Sequence, residues 1–389
     1  MQPGSADVPT REAQGETQGK DYKDGADASE HSYCALRPTP RRIFAPGVTP
    51  ARIEAINLFS NKWVNHTVLH YYFFDRVTDG ETVMFNDGTS GFVSWVGAEE
   101  QRAVVRRGFE TWINQQIGIE FREVAVREEA EIRIGFMRGD GAWSWLGREI
   151  LDHGPNERTM NFGWNLTRPG EIDTAVHEIG HTLGFPHEHQ NPKSGIEWDE
   201  EAVYAALAKP PNEWDRQKTF WNIIRKLDPS EVEGTTWDPD SIMHYPFEKG
   251  LIKKPEIYFQ NGLQPHGGLS PKDISWVKTL YPPLAGQQDA ELKPAESVLL
   301  NLSAGEQRNF LVMPQETAYR EFSTFGASDS VMVLFEEDNG QLRYRTGDDD
   351  SGEDTNAYFR FKLVKGRKYV LRIRLYYSDR PGQTSVMMW

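Results

Sequence analysis

Thiols and long apolar segments are scarce in this sequence. Its 389 residues include one cysteine, Cys34, so no disulfide can form within the chain and no structural zinc site can be built from several thiolates. No apolar run approaches the roughly 18 residues that a membrane-spanning helix needs. We therefore expect neither a disulfide-stapled scaffold nor a membrane span.

An excess of positive charge is also missing. Lysine and arginine number 43 against 58 acidic residues, which gives a formal net charge of −15. This balance favours solubility and argues against a nucleic-acid partner. The first 33 residues are polar and almost without aliphatic side chains, a composition that predicts disorder and shows no apolar core of a signal peptide.

Histidines, by contrast, cluster in TAVHEIGHTLGFPHEHQNP, residues 174–192. His177 and His181 are four residues apart, so on a helix that begins near residue 172 they share one face and can bind one metal ion together. Gly184 predicts the end of that helix, because glycine accepts a positive φ and lets the chain reverse, which brings His187 toward the same point. Three nitrogen ligands with an open fourth position predict a catalytic zinc site, with Glu178 beside it.

Chance spacing of surface or core histidines is the alternative interpretation. The short pattern H-E-x-x-H leaves that alternative open, whereas the longer H-E-x-x-H-x-x-G-x-x-H argues strongly against it. His189 and His244 lie off this spacing. We expect them to be surface residues or to support the ligands from behind.

The extended motif resembles that of the metzincin metalloproteases, which place a methionine-containing turn beneath the zinc. Residues 241–245 read SIMHY, the form found in the astacin subfamily, and Glu188 directly after the third histidine also matches. The resemblance implies a zinc metalloendopeptidase with one Zn²⁺, Glu178 as general base, Met243 below the metal and Tyr245 as a displaceable ligand that stabilises the oxyanion. Animal astacins carry disulfides in this domain, which this chain cannot form. In the alternative interpretation, Met243 and Tyr245 are ordinary core residues.

The resemblance covers about residues 51–285 and implies an α+β metzincin catalytic domain with a mixed sheet, a zinc helix and a Met-turn. Residues 1–50 are predicted as a disordered pro-segment and linker. HTVLHYYFF, EIRIGF and TMNFGW predict strands, residues 98–116 predict a long amphipathic helix, and Ser270 with Pro271 predicts the start of a closing helix. By analogy with metzincins, residues 159–164 are assigned to the strand at the rim of the cleft.

A separate all-β sandwich is predicted for residues 286–389. Short apolar runs such as VMVLFEE and KYVLRIRLYY alternate there with turn sequences such as DNG, which is typical of antiparallel sheets. The pattern resembles the pre-peptidase C-terminal domains of secreted microbial proteases. The acidic run GDDDSGED, residues 347–354, is a candidate Ca²⁺ site, but a solvated acidic loop fits better because its spacing matches no defined calcium loop.

The function we expect is hydrolysis of protein or peptide substrates by a monomeric zinc endopeptidase. A rim strand that pairs with an extended backbone favours polypeptides over small amides, whose hydrolysis is an alternative. A binding protein on an inactive protease scaffold is a further alternative, and it conflicts with the presence of every chemical residue of the motif. The family resemblance favours an extracellular location.

Cys34 has two interpretations. A thiolate is a strong zinc ligand, and some metzincins keep their zymogens inactive with a pro-segment cysteine, whereas astacins with known pro-segments use an aspartate. The 17 residues from Cys34 to Ala51 span roughly 55 Å when extended, enough to reach a cleft. We therefore predict a zymogen latch that cleavage between Leu36 and Arg52, for example at the dibasic residues 41–42, would release. A stray thiol in a loose tail is the alternative.

Overall fold

The protein is described by a computed structural model over residues 33–36, 61–63, 65, 67–85, 87–227, 236–283, 290–377 and 380–389. Most of the predicted pro-segment and linker, including the dibasic pair, lies outside the described residues. The described chain forms a mixed α/β part followed by a β-rich part. None of its helices combines the length and the apolar character that crossing a bilayer requires.

The described residues in the first half of the chain include seven strands. They are β1 (Val68–Phe73), β2 (Gly80–Met84), β3 (Ser90–Ser94), β4 (Glu120–Glu123), β5 (Ile132–Gly135), β6 (Trp143–Ser144) and β7 (Met160–Asn161). Five of them form a sheet in the order β4-β1-β5-β7-β6, while β2 and β3 form a separate hairpin. Every residue of β1 is buried, as expected for a parallel strand covered on both faces. The expected mixed sheet is confirmed, since β1 pairs in parallel and β6 in antiparallel orientation.

The edge of this sheet differs from the expectation. β7 pairs with β5 in parallel and with β6 in antiparallel orientation, so the strand within residues 159–164 has neighbours on both sides. β6 ends the sheet and is its antiparallel edge. The assignment of the rim to residues 159–164 was wrong. The edge strand is β6, which has only two residues and is too short to produce a recognisable alternating pattern in the sequence.

Two helices pack against each other beside the sheet, α1 (Glu99–Ile113) and α2 (Ile172–Thr182). The amphipathic spacing predicted for α1 is confirmed, since Phe109 and Trp112 lie in the core. Gly108 sits at the crossing, where an added Cβ would lie 3.0 Å from Ala175 and Ile179. The lack of a side chain at this position lets the two backbones approach closely.

The remaining elements of the mixed part follow α2. They are the strands β8 (Glu197–Trp198) and β9 (Ile252–Lys254), the helices α3 (Glu200–Leu207), α4 (Arg216–Thr219), α5 (Glu256–Asn261) and α6 (Pro271–Leu280), and a π-helical turn, Phe220–Ile224. The start predicted for the closing helix α6 is confirmed. Ser270 accepts a hydrogen bond from the Asp273 backbone, the Asp273 carboxylate accepts one from the Ser270 backbone, and Pro271 is the first helical residue.

The β-rich part contains two facing sheets. Its strands are β10 (Ala290–Glu291), β11 (Val298–Leu302), β12 (Gln307–Val312), β13 (Ala318–Phe325), β14 (Ser330–Asp338), β15 (Gln341–Asp348), β16 (Tyr358–Leu363), β17 (Lys368–Leu375) and β18 (Gly382–Met388). The sheet orders are β10-β12-β17-β14-β15 and β11-β18-β13-β16. Phe322, Leu334 and Leu371 belong to the core between the sheets, so a sandwich is observed as expected.

The sandwich contacts the mixed part through the outer face of its first sheet. β14 is buried on both faces: Leu334 lies in the sandwich core, and Val333 belongs to a second apolar cluster. Val333 also lines a small cavity together with Trp63 and Leu69 of the mixed part. Arg372 donates a hydrogen bond of 3.2 Å to the Asn65 carbonyl.

A glycine in α2 permits the closest approach to the predicted methionine turn. An added Cβ at Gly180 would overlap the sulfur of Met243, and Trp112 lies 3.4 Å away on the same side. All three positions are buried, so the added methyl group has no free volume to enter.

We expect Gly180→Ala to lower the free energy of unfolding by about 1–3 kcal/mol, because overpacking outweighs the gain of about 1 kcal/mol in helix propensity. Urea unfolding measures this. The double variant Gly180→Ala/Met243→Ala should show a favourable coupling energy, since the shortened side chain vacates the clash. A more stable Gly180→Ala protein would contradict the close contact.

Candidate metal centre and active site

Three imidazoles and one thiol converge next to α2. The possible ligand atoms of Cys34, His177, His181 and His187 all lie within 4.8 Å of one another, and all four residues are buried. The two Nε2 atoms of His181 and His187 are 3.1 Å apart. The structure thus brings the three predicted histidine ligands to one point, together with the cysteine of the N-terminal segment.

The turn after α2 is what returns His187 to the other two histidines. Gly184 has a φ of +93°, a conformation that favours glycine. The Gly184 amide donates to the His181 carbonyl at 2.8 Å, and the Phe185 amide donates to the Gly180 carbonyl at 3.0 Å. These bonds satisfy carbonyls at the helix end in the way that glycine-terminated helices do.

The second ring nitrogen of two histidines is held by the backbone. His177 Nδ1 lies 2.7 Å from the Ile242 carbonyl oxygen, and His181 Nδ1 lies 2.7 Å from the Phe185 carbonyl oxygen. Because a carbonyl only accepts, each Nδ1 carries the proton and each Nε2 presents a lone pair to the cluster. Such backbone partners commonly orient metal-binding histidines.

The electrostatics of the cluster suit a cation. Burial lowers the pKa of His177 to about 4, and it places the pKa of His181 and His187 well below the ordinary range. Neutral imidazoles are the ligand form of histidine. His177 Nε2 and His187 Nδ1 are buried without a hydrogen-bond partner in the described part of the chain. A metal ion bound by the Nε2 atoms would satisfy the His177 nitrogen, so the residues present fit zinc.

Glu178 and Tyr245 border the same space. Glu178 is buried, and its burial raises the pKa of the carboxyl group to about 8. Its Oε2 lies 3.5 Å from the Cys34 Sγ. The Tyr245 hydroxyl donates a 2.6 Å hydrogen bond to the Cys34 carbonyl and also contacts His187 Nε2. A carboxyl group and a phenol therefore face the point where the imidazoles converge.

Asp273 holds the methionine turn in place, a role that the sequence analysis missed. Its carboxylate accepts from the Ser241 hydroxyl at 2.6 Å and from the Ile242 amide at 2.8 Å, in addition to capping α6. Met243, two residues after Ser241, is buried in the core beneath α2. The capping sequence was visible, but nothing local indicates that the same carboxylate reaches the turn.

His189 and His244 lie behind the cluster and are not surface residues. Both are buried, His189 with no exposed area. The His189 ring stacks on His187 with centroids 5.2 Å apart, and its Nε2 lies 2.8 Å from the Asn222 carbonyl. His244 Nδ1 lies 2.8 Å from the Tyr245 carbonyl. Of the two expectations for these residues, packing behind the ligands is the one observed.

The N-terminal segment lies across the centre. Cys34 Sγ is 3.6 Å from His181 Nε2, and the Cys34 carbonyl accepts the hydrogen bond from Tyr245. Burial, and then the Glu178 carboxylate, raise the pKa of the Cys34 thiol well above its usual value. The thiol cannot form a disulfide within the chain, because Cys34 is the single cysteine.

The acidic run of the sandwich forms a second possible metal-binding group. Carboxylate oxygens of Asp348, Asp349 and Asp350 lie within 4.8 Å of one another and are half-buried. Asp348 already accepts hydrogen bonds from Ser351 and from the Tyr358 amide. These hydrogen bonds hold the loop in place. A solvated acidic loop stays the prediction, with Ca²⁺ binding as its alternative.

Comparison with known proteins assigns the mixed part to a family. Residues 95–281 match the model of the peptidase family Astacin. Bone morphogenetic protein 1 of Xenopus laevis is 31% identical over 193 residues, which are 46% of this chain and 24% of that protein. Protein SpAN of Strongylocentrotus purpuratus is 29% identical over 150 residues, 37% of this chain and 21% of that protein. The chain thus spans about a quarter or less of the length of these relatives.

Solved structures include matches to both parts of the chain. The chain in the structure of myroilysin is 30% identical to this chain. The match covers 58% of this chain and 97% of that chain, with a TM-score of 0.49. The pre-peptidase C-terminal domain of collagenase from Bacillus anthracis is 14% identical and covers 27% of this chain and 99% of that chain, with a TM-score of 0.24. A likeness at this level does not establish the domain type, so the assignment of the sandwich stays a prediction.

Proposed function

Because residues 95–281 belong to the astacin family of metzincin peptidases, we propose that the chain is a zinc metalloendopeptidase acting on polypeptides. The observation that carries the proposal is the convergence of three buried, neutral imidazoles beside a buried carboxyl group. His177, His181 and His187 would hold one Zn²⁺. An extracellular location and a monomeric state are part of the same proposal.

The chain's own groups can supply the proton transfers of amide hydrolysis. A bound Zn²⁺ supplies Lewis-acid polarisation of the carbonyl and lowers the pKa of water. Glu178, beside the ligands, accepts a proton from the attacking water and returns it to the leaving amine, help that is typically worth about 10²–10⁴-fold in rate. The burial of Glu178 keeps bulk water away from the carboxyl group, which strengthens these interactions.

The N-terminal segment of the chain lies at the imidazole cluster, which supports a polypeptide substrate over a small amide. Residues 33–36 lie without regular secondary structure at the imidazole cluster, where the Cys34 carbonyl accepts a hydrogen bond from Tyr245. The edge strand β6 lies nearby, since the hydroxyls of Ser144 and of Thr182 in α2 are 3.2 Å apart. An edge strand offers unpaired backbone groups to an extended chain. A backbone segment at the imidazoles and a nearby sheet edge together support a polypeptide substrate.

We expect Glu178→Gln to keep one zinc per chain and to lose nearly all cleavage of casein, because the amide cannot take up the proton. Metal content by atomic absorption and casein cleavage, with a set of small amides alongside, test the function in one series. The matched control is His181→Ala, which should lose both zinc and activity. Loss of zinc from Glu178→Gln, or cleavage of small amides alone, contradicts the proposal.

Tyr245 is proposed to stabilise the oxyanion. Its hydroxyl donates to a backbone carbonyl that lies at the imidazole cluster, at 2.6 Å from the Cys34 oxygen. A substrate carbonyl in that position would receive the same hydrogen bond, which strengthens as negative charge develops on the oxygen.

We expect Tyr245→Phe to lower kcat by about 10²–10³-fold with little change in KM, as for the loss of other oxyanion donors. Steady-state kinetics on a peptide substrate measure both constants. The phenylalanine keeps the aromatic packing, so unfolding in urea should be nearly unchanged. An effect confined to KM would indicate a role in substrate binding and not in the transition state.

Cys34 is proposed to latch the protein as a zymogen. The structure supports this through two contacts: the thiol lies at the imidazole cluster, and the Cys34 carbonyl accepts a hydrogen bond from Tyr245. A thiolate at the fourth ligand position would exclude the attacking water. Cleavage between Leu36 and Arg52, for example at the dibasic residues 41–42, would release it; residues 37–60 lie outside the described residues.

We expect Cys34→Ala to raise the initial activity of the full-length chain at least about tenfold, since a strong ligand is removed from the site. Initial rates measure the change. Cys34→Ser is the matched control and should be intermediate, because a hydroxyl is a weaker zinc ligand. If the parent chain and Cys34→Ala have equal activity, and the thiol of the parent chain reacts freely with a colorimetric reagent, only the interpretation of a stray thiol remains.

A further inference from the structure

An aromatic pocket lies directly beside the proposed catalytic centre, and Tyr33 occupies it. The ring of Tyr33 lies 5.0 Å from that of Tyr245, 5.7 Å from that of Phe247 and 6.4 Å from that of Trp214, measured between centroids. The Phe247 ring is nearly parallel to it, at an interplanar angle of 24°. We call these three side chains the aromatic pocket.

Two polar contacts complete the seat of Tyr33. Its hydroxyl donates to the Pro246 carbonyl at 2.7 Å, and its backbone amide donates to the Asn212 side-chain oxygen at 2.8 Å. One contact is specific for a phenol at the end of the ring. The other recognises the backbone of whichever residue occupies the position.

The pocket belongs to the enzyme part of the chain and not to the N-terminal segment. Trp214, Tyr245 and Phe247 are all buried, with Phe247 only 1% exposed, and the same cluster contains Trp198 and Leu263 from the surrounding elements. The walls therefore pack against other side chains of the enzyme part as well as against the segment, whose Cys34 belongs to the same cluster. If the segment left, an apolar space that fits an aromatic ring would be exposed.

The residue in the aromatic pocket and the residue at the catalytic centre are neighbours in sequence. Tyr33 precedes Cys34, and consecutive Cα atoms lie about 3.8 Å apart. A chain that places one backbone carbonyl at the Tyr245 hydroxyl therefore places a neighbouring side chain at the mouth of the pocket. A substrate in this cleft meets the pocket within a residue or two of the bond that is cleaved.

We infer that the aromatic pocket selects substrates with a tyrosine or phenylalanine side chain close to the scissile bond. This inference rests on the proposed endopeptidase function and adds a substrate preference to it. Tyr33 marks the position that the substrate side chain takes after the segment has left.

The far end of the pocket explains which side chains it disfavours. The Pro246 carbonyl only accepts hydrogen bonds, so phenylalanine loses one bond and an acidic side chain finds no donor there. Negative charge is therefore unfavourable at this end, which predicts discrimination against aspartate and glutamate.

The test uses a full-length Tyr33→Ala/Cys34→Ala chain, in which the pocket is vacant and the thiol is absent. Peptides that differ at a single position beside the cleavage site carry Tyr, Phe, Leu, Ala, Asp or Lys. We expect kcat/KM for Tyr to exceed that for Ala by about 10–100-fold, with Phe a few-fold below Tyr and Asp at the bottom. Equal rates for all six peptides, or a preference for Lys or Asp, would overturn the pocket.

Substitution of the pocket wall gives a second test. Trp214→Leu should reduce the ratio of Tyr to Ala cleavage at least about tenfold, since the tryptophan ring packs against the aromatic side chain of the Tyr peptide and the Ala peptide has no ring to lose that packing. Trp221→Leu is the matched control, because this partly exposed tryptophan lies on the π-helical turn and is outside the pocket. An unchanged ratio in Trp214→Leu would contradict the assignment.

A binding measurement separates failure of the pocket from failure of the proposed function. The Tyr33→Ala/Cys34→Ala/Glu178→Gln chain is titrated with the Tyr and Ala peptides by calorimetry, and the Tyr peptide should bind about tenfold more tightly. If no peptide is cleaved but this difference is found, the endopeptidase function fails and the pocket stands. If peptides are cleaved and the two bind equally, the pocket alone fails.

Discussion

The hydrogen bond from His177 to the Ile242 carbonyl is the contact on which the rest of the site depends. It joins α2 to the turn that carries Met243 and Tyr245, two elements 65 residues apart in sequence. The bond fixes which nitrogen of the ring faces the cluster, and it also sets the height of the turn below the helix. Gly180 makes that height possible, because any side chain there would meet the methionine sulfur. Asp273 holds the other side of the turn through two hydrogen bonds. The phenol of Tyr245 is thereby placed by the same constraints that place the imidazoles.

Burial of the centre is energetically unfavourable for its polar groups and favours their neutral forms. Three neutral imidazoles, a carboxyl group and a thiol share a space from which water is excluded, and their pKa values are all displaced toward the neutral forms. Such a set is unfavourable as a plain polar core, because His177 Nε2 has no partner in the described residues. A divalent cation bound there would remove this penalty and would favour the ionised forms of the thiol and the carboxyl group. We therefore expect a bound metal ion to stabilise the arrangement.

Local signals in the sequence predicted the parts of this site that are encoded within one or two helical turns. The histidines of α2, the reversal at Gly184 and the cap at Ser270 each depend on neighbours a few residues away, so spacing and residue type were sufficient. The edge strand β6 was missed because its two residues, Trp143 and Ser144, show no alternation. The aromatic pocket was missed for a different reason. Tyr33 and Asn212 are 179 residues apart, and a contact at that separation is set by tertiary packing, which no local pattern reports.

The proximity of Cys34 and Tyr33 gives the proposed latch a physical basis that does not need a disulfide. The latch makes two contacts: the thiol at the fourth ligand position and the Tyr33 ring in the aromatic pocket. Both belong to one covalent chain, so the second contact forms at an effective concentration set by the tether, which is in the millimolar range for short flexible linkers. Cutting the chain between Leu36 and Arg52 removes that tether. The freed segment then competes at its bulk concentration, far below millimolar, and substrate can displace it from the ligand position and the aromatic pocket together. A reversible latch of this kind suits a chain with one cysteine, because its release requires a protease and no reductant.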